Sequence, residues 1–234
     1  MIEERAFVIK ITPYKDRYSF VKIFTENRGC IDIQTTIEKK KWDQQFRFSL
    51  QLFGIKKIKE YYRMQSRELI NAYYYIREDI DAFFITNIVF DFIDQLIPYE
   101  ENNFKIFQMT MVFMNFLKEA INKQLLLTSY LLKLLAFTGY GLDFSNYKDI
   151  NSEVFFDANE CKFVKNKINC NFCFSKKEYL LLRYLMYNTF EEIAKNNTSI
   201  NEITTKKLLD FIINQLMQQH DLKIIQSIEC LNWK

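Results

Sequence analysis

The sequence predicts an α+β fold: an N-terminal five-stranded OB-fold barrel over residues 1–68, then a mostly α-helical domain over 69–234 with an irregular insert at about 142–174. Three observations predict it. Five short runs rich in β-branched and aromatic residues fall within the first 67 residues. From Glu68 onward, apolar residues recur at steps of three and four, the spacing of helices. The charge balance turns over at the same place, with fifteen basic against eight acidic residues over 1–67 and seventeen against twenty-one over 68–234. Such a shift in composition marks a domain boundary. Only four glycines and two prolines occur, too few for a turn-dense all-β protein, and a hydrophobic content of 49% is ample for a core.

The first three strands are read at 6–12 (AFVIKIT), 19–25 (SFVKIFT) and 29–34 (GCIDIQ), separated by turn material at 13–17 and 26–29. In the fourth, Phe46, Phe48, Leu50 and Leu52 alternate with Arg47, Ser49 and Gln51, which predicts an aromatic face in the core and a cationic face in water. Gly54 then reads as the turn into a fifth strand, Ile55 to Met64. Five short strands in this length suit an OB barrel, whose strand face and loops bind oligonucleotides; an SH3-like barrel or a plain sheet would also accommodate them.

The helices follow in order. Asp79 to Ile97 carries apolar residues at helical steps and is stopped by Pro98. Asn103 to Glu119 and Asn122 to Phe137 are the next two, and the second is leucine-rich on nearly every side, as expected of a central helix that ends near Gly139. Periodicity is lost from Leu142 to Phe174, where Glu153–Phe156 and Lys162–Val164 read as short strands. Ser175 and Glu178 form a capping box opening a helix through about Tyr187, Ile203 to Gln219 makes the last long helix, and 222–231 reads as a short strand or extended tail.

Charge points to the partner. Between Lys39 and Arg67 nine basic residues stand against Asp43 and Glu60, a local excess larger than the +3 of the whole chain, and the simplest partner for that surface is a polyanion. Lys39, Lys40, Lys41, Trp42 and Arg47 form a candidate DNA grip in which cations neutralise phosphates. Trp42 would stack on a base, which contributes about 1–3 kcal/mol. Lys56, Lys57, Lys59 and Arg63, on the expected hairpin, extend the grip. The plainer reading is a solvated lysine run with Trp42 as a core anchor.

Other chemistries find little support. Five cysteines at irregular spacing make no disulfide framework, and Cys161, Cys170 and Cys173 lack a fourth zinc ligand, so they read as buried or free thiols. The only histidine, His220, reads as a surface residue at a helix C-terminus. There is no Gly-x-x-x-x-Gly-Lys loop for a nucleotide, and Glu78, Asp79 and Asp81 read as a helix start rather than metal ligands. No catalytic residue, metal or cofactor is expected. The start MIEERAF lacks a basic n-region, and the longest apolar run, Leu125 to Phe137, contains Lys133 and falls short of the roughly 20 residues a span needs. A cytoplasmic protein without a membrane partner is the expectation.

The order of several segments resembles the bacterial RecO recombination mediators. They are AFVIKITPYKDRYSFVKIFTENRGCIDI, the Phe46–Phe53 run, IREDIDAFFITNIVFDFIDQLIPYEE, and LLKLLAFTGYGLDFS with Leu134, Leu135, Gly139, Tyr140 and Gly141. The resemblance implies an OB fold, a helical domain and no enzymatic turnover. It further implies binding of single-stranded and duplex DNA, strand annealing, and cooperation with RecR so that RecA displaces single-stranded-DNA-binding protein (SSB). The family's helical domain docks the SSB C-terminal tail, and here Ser129 stands where a basic residue is expected. TTIEKKKW replaces the family's Lys-Gly-Ala-Arg segment, keeping charge without the glycine turn, and the first Cys-x-x-Cys pair of zinc-binding members is absent near Tyr147 and Ile150. The alternative reading is a non-enzymatic interaction scaffold whose OB-like domain binds RNA or protein.

Overall fold

The computed structural model of the chain describes residues 1–14, 18–36, 47–144, 153–158, 160–164, 172–196, 200–223 and 226–229. It divides into two compact units, Met1–Gln108 joined by residues 226–229, and Met109–Ile224. The division does not coincide with the composition change at residue 68.

In the first unit, strands β1 (Ile2–Tyr14), β2 (Tyr18–Thr25), β3 (Gly29–Thr36), β4 (Leu50–Ile58) and β5 (Tyr61–Asn71) close a barrel in the order β1-β2-β3-β5-β4. All neighbours are antiparallel except β3 and β5, which run parallel. This is the five-stranded OB barrel. Strand alternation sends Ala6, Val8, Val21, Ile23, Ile31, Ile33, Phe53, Ile55 and Tyr62 inward. A bulge between Val8 and Lys10 rephases β1, so that Ile11 returns to the core and Lys10 faces out.

Part of the outer wall is also covered. Phe7 packs on Phe90 and Phe107, Phe24 on Phe107, and Phe48 stacks on Phe90 at 5.5 Å. These partners lie on α2 (Ile80–Leu96) and the first turn of α3 (Phe104–Leu117), with α1 (Tyr75–Glu78) leading in. Asp79 caps α2 by accepting from the N–H groups of Asp81 and Ala82.

Two expectations about the fourth and fifth strands are corrected. The strand begins only at Leu50, and Ser49 and Gln51, expected on a wet face, are as buried as Phe48 and Leu50 because the wall has the barrel core on one side and α2 on the other. Gly54 continues β4 instead of turning it, paired with Ser66 on β5; a Cβ there would sit 2.2 Å from Ser66 Oγ, a contact that rotation of that exposed side chain relieves. The turn is Lys59–Glu60, with Lys59 at φ +55, and β5 runs on to Asn71.

The second unit is built on α4 (Lys123–Phe137), which buries ten residues from Leu125 to Leu135, is capped by Asn122, and stops before Gly139 at φ +96. Within the expected insert, β6 (Val154–Asp157), β7 (Lys162–Val164) and the unforeseen β8 (Phe172–Phe174) form a small sheet in the order β7-β6-β8. The Ser175–Glu178 capping box opens α5 (Lys176–Tyr187), and a second box, Thr189–Glu192, opens α6 (Phe190–Ala194), which periodicity did not reveal. Next come α7 (Glu202–His220) and, at 226–229 where a strand or tail was expected, the single turn α8 (Gln226–Glu229).

Candidate nucleic-acid interface

Pairing registers place the barrel's outward side chains in rows. One row reads Thr12, Phe20, Gln34, Arg63 and Lys56 across β1, β2, β3, β5 and β4; the adjoining row reads Lys10, Lys22 and Asp32. Lys56 and Arg63 stand directly opposite each other, both exposed, with no anionic partner among the described residues. Like charges opposed across a ladder destabilise it, so the pair suits an anion supplied from outside. Tyr18, 41% exposed, and half-buried Phe20 present aromatic surface two residues apart on β2, and Phe20 shares the row of Arg63 with Gln34 between them.

The residues singled out from the sequence fall into distinct settings. Lys39, Lys40, Lys41 and Trp42 lie outside the described residues. Arg47 is half-buried: its Nε donates to the Ile9 carbonyl at 3.1 Å and its guanidinium lies 4.7 Å from the centre of the Phe48 ring. Burial draws its pKa down, opposed by the charge of Asp91. Lys59 is exposed in the β4–β5 turn, one of the loops with which OB folds grip oligonucleotides. Lys57 pairs with Tyr62 and turns away from Lys56, and its Nζ lies 2.7 and 3.0 Å from the two carboxylate oxygens of Glu100. The register pairs Lys56 with Arg63, puts Lys59 in the turn beyond them and leaves Arg47 outside that pair. Exposed Lys10 and Tyr18 and half-buried Phe20 lie on the outward face without having been singled out from the sequence; for the two aromatics, the alternation of Tyr18, Phe20, Lys22 and Phe24 against Ser19, Val21, Ile23 and Thr25 carried that placement.

In the helical unit, the position where a basic residue was expected is filled from one turn away. Ser129 is fully buried and donates to the Leu185 carbonyl at 2.7 Å, while Lys133 Nζ reaches back to the Ser129 hydroxyl at 2.6 Å. The same ammonium donates to the carbonyls of Leu185 and Asn188 at 3.0 and 2.8 Å and lies 4.6 Å from the centre of the Phe190 ring. Burial pulls its pKa down to about 8.

His220, expected at the surface, is half-buried, edge-on to Tyr140. Thr138 gives its hydroxyl proton to the Leu134 or Leu135 carbonyl, so the His220 Nε2–H donates to Thr138 Oγ1 at 2.9 Å. Cys161 and Cys173 are free thiols, and Cys170 lies outside the described residues. Among the described residues no group of three or more His, Cys, Asp or Glu is arranged to hold a metal, and no helix is long and apolar enough to cross a membrane.

Residues 77–223, more than half of the chain, match the family described as recombination protein O, C-terminal. The chain is 25% identical over 236 residues to the DNA repair protein RecO of Clostridium perfringens (strain 13 / Type A), covering 93% of this chain and 89% of that protein. Against the DNA repair protein RecO of Clostridium novyi (strain NT), identity is 28% over 251 residues, with 100% and 94% covered. With the protein of that name from Caldicellulosiruptor bescii it is 19%, over 96% of both chains.

Proposed function

Because this chain belongs to the RecO family of DNA repair proteins, we propose that it is a non-enzymatic mediator that binds and anneals single-stranded DNA and helps load RecA on SSB-coated DNA. The work divides near residue 68. The barrel holds single-stranded and duplex DNA, while residues 69–234 recruit RecR and the SSB C-terminal tail. Lys56, Arg63 and Lys59, with Lys39, Lys40 and Lys41, neutralise phosphates, and Tyr18, Phe20 and Trp42 offer rings for bases. Annealing follows from charge: screening phosphates lowers the repulsion between two strands.

The observation that carries this reading is the opposed Lys56 and Arg63, without an anionic partner among the described residues, on the outer face of an OB barrel in a chain of this family. Fluorescence anisotropy of a labelled oligo-dT strand, titrated at several salt concentrations, tests it. Contacts to about four phosphates give a log–log slope near −3, roughly a 50-fold loss of affinity from about 50 to 200 mM salt. Changing Lys56 and Arg63 together to alanine should flatten that slope by about 1.4. Failure to bind at low salt would remove DNA binding from the account.

A further inference from the structure

Lys57 and Tyr62 are cross-strand partners on β4 and β5, and Tyr62 is wholly buried in the barrel core. An anion is already lodged between their polar tips. Both carboxylate oxygens of Glu100 meet Lys57 Nζ, and the Tyr62 hydroxyl donates to one of them. The segment after α2 delivers this carboxylate: the Glu100 N–H donates to the Cys30 carbonyl at 3.1 Å, and Tyr99 bridges to Cys30. Glu100 itself stands at φ +57, a region that residues with a side chain rarely occupy. Its side chain is 32% exposed and that of Lys57 is 48% exposed, so solvent reaches the contact. An ammonium and a phenolic O–H converging on one oxyanion make a site a phosphate oxygen fits as readily as a carboxylate oxygen. Lys59, in the adjoining turn, carries the positive surface onward.

We propose that Glu100 occupies, as an internal stand-in, a phosphate site formed by Lys57 and Tyr62, and that a backbone phosphate of single-stranded nucleic acid must displace it. The proposal rests on the nucleic-acid reading above and adds a regulator to it. Displacement needs rotation of one side chain, because the backbone bond to Cys30 does not involve the carboxylate. Glu100 thus holds affinity down and sharpens competition between nucleic acid and other anions.

The test is the oligo-dT titration on the full chain, comparing wild type, E100Q and E101Q, with E100N as a second form because asparagine tolerates positive φ. E101Q removes the same charge from an exposed neighbour for which no contact with Lys57 or Tyr62 exists. E100Q and E100N should bind about threefold or more tighter and steepen the salt slope by about 0.7, one added phosphate contact. Adding K57A to either should cancel the gain, and E101Q should stay near wild type. Thermal melts identify any variant that does not fold. Wild-type binding with no gain in the folded Glu100 variants, or an equal gain in E101Q, would overturn the proposal alone. Absence of binding by wild type and the Glu100 variants would overturn the nucleic-acid reading and this proposal with it.

Discussion

His220 is the only histidine in the chain, so its titration can be followed by NMR without assignment ambiguity. Burial lowers its pKa below the ordinary value of about 6.5. The sign follows: between the folded pKa and about 6.5 the unfolded chain binds more protons, so stability is lost as pH falls through that window and levels off below it. A folded-state pKa at or above 6.5 would contradict burial as the influence that governs the imidazole. The residue also shows where local reading stops. Its place at a helix end was legible in the polar run of α7, but its burial depends on Thr138 and Tyr140, some eighty positions earlier in the chain. Lys133 shows the same limit: a lysine in an apolar run tells against a membrane span, yet nothing near it in the chain announces that its ammonium binds the carbonyls of Leu185 and Asn188.

At the scale of elements, caps were the most readable signals. Ser175–Glu178, Asp79, Asn122 and Gly139 mark helix ends in the structure as their chemistry predicts, because a cap acts within one turn. Glycines inside the barrel were harder to place. Gly54 was read as a turn, whereas it sits within the ladder, paired with Ser66 on the neighbouring strand. At Gly29, φ is +61, and a Cβ would meet the Glu101 carbonyl oxygen at 2.1 Å. Gly29→Ala should therefore cost about 2–4 kcal/mol of unfolding free energy, measured by denaturant titration. A loss below about 0.5 kcal/mol would show that the segment carrying Glu100 can move away from β3 without penalty.

Over the whole molecule, the barrel's own strands end at Asn71, but its apolar surface does not end with them. Phe7, Phe24 and Phe48 face outward and are covered by Phe90 and Phe107. A fragment ending at Asn71 would expose those rings; it is expected to bind a hydrophobic dye and to lack a cooperative thermal transition. A cooperative melt with no dye binding would show that the barrel needs none of α2. This also explains why the composition change at residue 68 and the compact units diverge: charge changes where the strands stop, whereas compactness follows the aromatic layer through Gln108. Periodicity, caps and charge balance act over a few residues, so the presence of five strands, the five longest helices and a basic N-terminal region could be read directly from the chain. Barrel closure, the outward row of Lys56, Arg63 and Phe20, and the Glu100 contact with Lys57 and Tyr62 arise from pairings between elements, such as Ile2 with Ile55, Gln34 with Arg63 and Glu100 with Lys57. Those depend on register and packing, which local patterning does not contain.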